Sequence, residues 1–450
     1  MAPVQRFRQL VKAGEKAFYD GDAEAYETAT RVAAKILRDL AKADQLDAAL
    51  SLEPEWYNRL VKKVEKEDHY HRCFSWHKDA LWEAGRRANK RSPLAAVHSA
   101  SDGVTKIAFV AHSGVLLGHT EVMLRVISDW REAGVQVNPY FVSLAGMQPE
   151  LKTRLKQLKI PFAVAPKGLK PVAVTEWLRE ALLKTGISTA VWLSTPCWVP
   201  YVFGYGVAAR QVIWSLKFHP VHLGPTVIHI GMTKQQGGKT VVNGSEWWAY
   251  APPLSIERKA NDPAVIEAVR ARWPGKVLLG TLAREEKFNS MEFVSTVAEI
   301  LLGRPDAHYI YTGKTAPEIL ERELKRLGLS ERASYVGWVD TNLYAEALDV
   351  FLETFPFGCG ITGMQALVAG TPVVSMWAED TLPRFYSDEV GHDPLPWWRI
   401  TRCVADYVRA ANELIDRTDI KKTFCGIREL LTIDRLRSVR ALELMTQDSL

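Results

Sequence analysis

The chain reads as an α/β protein, with two Rossmann-like domains in series preceded by an all-α N-terminal region. Three observations carry that reading. The stretch Asp349 to Trp377, DVFLETFPFGCGITGMQALVAGTPVVSMW, runs strand, glycine-containing loop, helix, strand, the repeating unit of a parallel sheet. An earlier series of the same kind opens at KIAFVAH (106–112). Before about residue 95, apolar residues recur at helical spacing.

In chain order, residues 1–98 form the all-α domain. Asp22 to Leu40 carries a helical apolar stripe, and Gly21-Asp22 marks a turn between two helices. The basic run Arg86, Arg87, Lys90, Arg91 ends at Ser92-Pro93, a helix end followed by a linker. The first Rossmann-like domain spans 103–274. KIAFVAH is its first strand, SGVLLGHT a loop, and EVMLRVISDWREA a helix ending at Gly134. VQVNPYFVS, PFAVAP, TAVWLS and AARQVIWSL follow as strands, interleaved with helical stretches such as VTEWLREALLK. Pro220 to Pro274 is a bridging region rich in Gly, Pro and Trp. The second domain, 275–440, strings together KVLLGTLAR, AHYIYTGK, ASYVGWVD, DVFLET and PVVSMW as strands, with helices after about Ile400. Two such sheets imply a cleft faced by strand C-termini.

The late loop is suited to an anion. It lies where a strand ends and a helix begins, so free N–H groups and the positive helix end converge there. Gly358, Gly360 and Gly363 permit close backbone approach, Thr362 offers a hydroxyl donor, and Gly370 with Pro372 closes the helix. The competing reading is ordinary glycine punctuation of an α/β crossover.

Composition narrows the class. Of the 450 residues, 47% are hydrophobic and 24% charged, enough apolar content for two or three domains. The net charge of +5 is spread along the chain, which suits small anions and gives no dedicated nucleic-acid surface. The five cysteines form no CxxC pair, as expected for reduced thiols in a cytoplasm. No run has the length of a signal-peptide core or a membrane span. His69, Cys73 and His77 share a helical face but have no closing fourth ligand. The Gly-Lys-Thr strings at 238–240 and 313–315 have Thr233 and His308 where a P-loop needs glycine.

The second half resembles the GT-B nucleotide-sugar glycosyltransferases. Within them it is most similar to the O-GlcNAc transferases and their bacterial cytoplasmic N-glycosyltransferase relatives. The resemblance rests on Cys359-Gly360-Ile361-Thr362-Gly363-Met364-Gln365 and Ala369-Gly370-Thr371-Pro372, with FPFG at 355–358 in the form those bacterial relatives use. It runs from about 276 to 440 and takes in Asp380 to Arg384 and Ala405-Asp406-Tyr407. It implies that Lys287, within LAREEKFNS (282–290), holds the donor diphosphate and stabilises its departure, with Arg284 assisting. The competing reading of that pair is two surface charges. Gly360, Thr362 and Gly363 match the diphosphate turn, and Gln365 stands where the family has an acidic residue for the ribose. Val336 and Gly337 match the segment whose main chain reads the base.

In the first half, Gly118-His119-Thr120-Glu121 matches the family's glycine-rich loop. His119 is the expected general base, with His112 its competitor and a capping or packing role the plain alternative. Glu121 takes that part if the chemistry is retaining. WSLKFHP (214–220) resembles a stretch of the N-glycosyltransferases and puts Lys217 and His219, with His222 nearby, on the acceptor side. A strand end with incidental charges reads equally well.

The expectation is therefore a cytoplasmic, metal-independent, inverting hexosyltransferase without a cofactor. It takes a UDP-sugar as co-substrate and moves glucose or GlcNAc to an acceptor, a protein side chain first. The alternatives are a glycan, lipid, small-molecule or nucleobase acceptor, or a non-catalytic binding protein that has kept the fold.

Overall fold

A computed structural model describes residues 3–63, 72–94, 105–193, 197–215, 221, 223–224, 226–231, 239–242, 245–249, 261–355, 358–359, 361–376, 398–417 and 438–446. Two units emerge, Met1–Pro253 with Arg435–Leu450, and Leu254–Asp434. The expected divisions at 98 and 274 differ from this partition. The N-terminal helices share one apolar cluster with the first sheet, in which Phe7, Trp56 and Phe74 join Val110, Trp192 and Trp198. Buried apolar surface that is continuous in this way makes one core of the two segments.

The helical layer of unit 1 is Pro3–Asp20, Ala23–Lys42, Leu46–Arg59 and Lys78–Arg91. Gly21, at φ +78°, turns the chain between the first two. Asp22 then caps the second helix by accepting from the Ala25 N–H at 2.9 Å. The helix Lys78–Arg91 crosses Val199–Tyr205 backbone to backbone. A Cβ on Gly85 would lie 2.4 Å from the Tyr201 carbonyl oxygen, and one on Gly204 2.4 Å from that of Trp82.

The first sheet has eight strands: β1 Thr105–Ala111, β2 Val137–Ser143, β3 Phe162–Val164, β4 Thr189–Trp192, β5 Arg210–Ser215, β6 Val227–Gly231, β7 Lys239–Val242 and β8 Ser245–Ala249. Their order is β3-β2-β1-β4-β5-β6-β8-β7, parallel except for the β7/β8 pair. The expected strands all form. The bridging region adds β6, β7 and β8 and the helix Pro263–Arg270, which its Gly/Pro/Trp-rich composition hid. The helix at 438–446 belongs to unit 1, where Ser438 accepts from Trp130 Nε1 at 2.6 Å and donates to Asp129.

In unit 2 the strands are β9 Val277–Thr281, β10 Ala307–Tyr311, β11 Ala333–Tyr335, β12 Val350–Leu352, β13 Val373–Met376 and β14 Trp398–Thr401. They are ordered β11-β10-β9-β12-β13-β14 and all parallel. That is the doubly wound Rossmann order, which reverses direction between β9 and β12. Leu278, Ile310, Phe351, Met364 and Trp398 build its core. Gly280 leaves the space that Leu348 fills, since a Cβ there would sit 2.5 Å from the leucine Cδ2.

Candidate functional site

In an open parallel sheet, ligands bind at the carboxyl ends of the strands where the order reverses. In unit 2 that point is flanked by the loop leaving β9 (282–288) and the segment leaving β12 (353–361). Both candidate phosphate elements lie there. Lys287 stands in a short 3₁₀ turn, Glu285–Phe288, whose Phe288 is buried and anchors it. Its Nζ reaches across to donate to the Gly358 carbonyl at 2.9 Å. Gly358 lies just before the helix Ile361–Val368, so the ammonium is brought close to the helix N-terminus.

Burial, and then the neighbouring Arg284, lower the Lys287 pKa from 10.5 to about 8. A half-desolvated cation gains more from an arriving anion than a solvated one does. Arg284 pairs with Glu286 at 3.0 Å, which spends part of its charge locally. Cys359 is half-buried and hydrogen-bonded with Thr354 at 3.3 Å. Burial pushes its thiol up to about 11 and keeps it neutral.

Thr362 has a different part from the one expected. Its hydroxyl donates to the Leu282 carbonyl at 2.6 Å, so it ties the helix start to the β9 loop rather than offering a free O–H. The first-turn N–H groups of the helix, those of Thr362 and Gly363 among them, are the anion donors that remain. Gly370, at φ +79°, ends the helix as expected, and the Thr371 N–H returns to the Ala366 carbonyl at 2.9 Å.

Gln365, expected to face the ribose, is engaged within unit 2. Its Oε1 accepts from Thr341 at 2.9 Å, linking the helix Ile361–Val368 to the segment after β11 and leaving the amide N–H₂ as a donor. In that segment the Val336 N–H is bonded to the Tyr311 carbonyl at 3.1 Å. The Gly337 carbonyl accepts from Gly313 at 3.3 Å. These two of the expected base-reading groups are thus engaged within the protein. Next to them, Trp338 is 59% exposed, with Lys314 Nζ 5.7 Å from its ring.

Unit 1 has its own order reversal, between β1 and β4. His112 directly follows β1 and Trp198 follows β4, and their rings meet edge to face at 4.6 Å. Burial lowers the His112 pKa, with Glu53 opposing. Trp198 adopts φ +68°, a left-handed conformation uncommon for a tryptophan. Glu53, fully buried on the helix Leu46–Arg59, holds it there. One carboxylate oxygen accepts from the Trp198 N–H at 2.7 Å and the other bonds His77 at 2.9 Å. Glu53 was not marked by the sequence pattern. The bond to Glu53 occupies the ring nitrogen Nε2 of His77, and Cys73 is wholly buried with its thiol pushed up to about 12.

His119 and Glu121 are half-buried in the first turn of the helix Gly118–Glu132. Thr120 between them is buried. It accepts from the Leu117 N–H at 2.9 Å and donates to the Val115 carbonyl at 2.8 Å, which fixes the turn. Lys217, His219, His222, Gly360 and Asp380 to Arg384 lie outside the described residues. The described cysteines Cys73, Cys197, Cys359 and Cys403 are free thiols. No helix among the described residues is long and apolar enough to cross a membrane.

Two Rossmann-like units in series, which share a six-strand core order that the first sheet extends by β8 and β7, define the GT-B fold. No protein-family profile and no curated sequence matches the chain. Solved structures do. An O-GlcNAc transferase variant from Thermobaculum terrenum superposes with a TM-score of 0.55 at 18% identity, covering 100% of this chain and 95% of that one. HepE from Anabaena, in complex with UDP and glucose, gives 0.52 at 14%, covering 76% and 100%. TarM from S. aureus, bound to UDP, fondaparinux and an α-GlcNAc-glycerol, gives 0.52 at 9%, also covering 76% and 100%. At these identities the similarity is one of fold.

Proposed function

We propose that this protein is a glycosyltransferase that moves a hexose, glucose or GlcNAc, from a UDP-sugar to an acceptor, with a protein side chain as the first candidate. The observation that carries the reading is the cation at the unit 2 reversal point. Lys287 bonds the Gly358 carbonyl beside the start of the helix Ile361–Val368. A partly desolvated ammonium and a helix N-terminus together suit a diphosphate that gains charge as it leaves. HepE and TarM, which share the fold, were solved with UDP bound.

The reaction is a single displacement with inversion. The acceptor's heteroatom attacks the anomeric carbon, the bond from that carbon to the β-phosphate oxygen breaks, and UDP takes the bonding pair. Lys287 and the first-turn N–H groups offset the charge that develops on the departing diphosphate, Arg284 contributes at longer range, and no metal ion takes part. Gln365 donates to the ribose through its free amide N–H₂. The acceptor's proton goes to His119. His112, its ring lodged against Trp198, shapes the acceptor side instead of moving the proton.

The test is a donor and acceptor panel. UDP-Glc, UDP-GlcNAc, UDP-Gal, a GDP-sugar and a dTDP-sugar are incubated with the protein and with candidate peptides, and the peptide mass is read. Addition of one hexose or HexNAc mass, lost in His119→Ala with little change in KM for the donor, is the expected result. Turnover of a donor onto glycans but not peptides rejects the protein acceptor. No response to any nucleotide sugar rejects the transferase.

A further inference from the structure

Within unit 1 is a cavity of about 400 Å³. Its walls come from the turn after the helix Ala23–Lys42, the end of Lys78–Arg91, the helix Pro171–Thr185 and the helix Val199–Tyr205. Asp44, Asp47 and Glu176 line it, against the single cation Arg91. Tyr201 and Tyr205 form its inner wall, 1% and 6% exposed, with their rings parallel at 6.4 Å. Among the described residues no hydrogen bond holds either phenol, and neither oxygen is sealed from the cavity, so both are open to an occupant. They meet in a space large enough for a side chain or a small molecule.

We infer that this cavity binds an alkylammonium or guanidinium group, which the carboxylates attract and the tyrosine oxygens receive as hydrogen-bond acceptors. Three carboxylates line it against the one lining cation Arg91, a balance that favours a cation over phosphate. Leu46 and Val172 in the lining give a hydrocarbon stem its contact.

The frame is rigid. Asp47 accepts from the Val172 N–H at 2.9 Å, which ties the turn to the helix Pro171–Thr185. Asp44 is held at φ +60°, a conformation tolerated best by Asp, Asn and Gly. The Gly85/Gly204 backbone crossing fixes the helix that carries both tyrosines. Arg179 closes the far side, lying 3.5 Å over the Tyr205 ring while it donates to Ser92, Asn89 and the Tyr205 carbonyl. Burial, followed by Glu176, Tyr205 and Asp47, pushes the Tyr201 phenol well above its ordinary pKa, so it remains a neutral hydroxyl.

Such a group arrives on a free polyamine or on a basic side chain of a peptide. The full-length protein is titrated calorimetrically at fixed low salt with spermidine, and separately with acetyl-Gly-Lys-Gly-amide against its Gln counterpart. Tyrosine difference absorbance is followed in parallel. Binding of either cationic probe with a tyrosine signal is expected. The double variant Asp44→Asn/Glu176→Gln, changed only at exposed positions, weakens it at least tenfold, and Tyr201→Phe weakens it severalfold. Arg91→Ala tightens it severalfold. Spermidine alone binding identifies a polyamine site, and the lysine peptide alone a peptide-docking site. No binding of either probe, or equal binding by the double variant with native circular dichroism, overturns the inference. Because no nucleotide is present, its failure is separate from failure of the transferase reading.

Discussion

In the proposed reaction, Lys287 is the residue on which the chemistry turns. Its pKa of about 8 lies below the ordinary 10.5, so between those values the unfolded chain binds more protons than the folded one, and stability rises with pH across that window. Binding has the opposite sign. A diphosphate needs the charged ammonium, so donor affinity is flat below about pH 8 and falls by up to about tenfold per unit above it. Lys287→Met abolishes that dependence, which calorimetric titration from pH 6.5 to 9.5 will read. The same substitution lowers kcat/KM by about 100-fold, the size of a lost oxyanion donor. At Glu53 the consequence is structural. Glu53→Ala strips a partner from both the Trp198 N–H and His77, and is expected to cost about 2–5 kcal/mol in urea unfolding. The Thr-Gly turn was legible as a turn because strand, glycine and helix follow one another in sequence, whereas Lys287 was marked only by the resemblance. The Glu53–Trp198 contact was not legible. It joins residues 145 apart, and nothing local announces a left-handed tryptophan.

Among the elements, the crossing of Lys78–Arg91 over Val199–Tyr205 is the tightest constraint on unit 1. A methyl on either Gly85 or Gly204 meets main-chain atoms that cannot rotate away. Gly85→Ala and Gly204→Ala are each expected to cost about 1–3 kcal/mol, measured as a fall in the first thermal transition. Ala at Gly134, where nothing lies within 4 Å, meets no such contact and carries only the penalty of its φ of +69°. The parallel strands were readable as apolar runs bounded by turns. β6, β7, β8 and β14 escaped because they are short and set among Gly, Pro and Trp, where neither the period of 2 nor that of 3.6 develops.

For the whole molecule, each unit has its own core and its own strand-order reversal, and the proposed donor elements all belong to unit 2. Scanning calorimetry of the full chain should therefore resolve two transitions, of which UDP raises one. At a UDP concentration 100 times Kd the gain is about 2.7 kcal/mol in that unit alone. The division into two α/β halves was evident from repetition of the strand–helix pattern. Union of the N-terminal helices with the first sheet was not, because it depends on apolar faces that meet only after folding. The most direct measurement of the central claim is calorimetric binding of UDP and a UDP-sugar to the wild-type chain and to Lys287→Ala, both at pH 7.5. Micromolar binding by the wild type, reduced at least tenfold in the variant, is the predicted result. Equal binding by the two proteins, or none by either, would contradict the placement of a donor diphosphate at Lys287 and the helix Ile361–Val368.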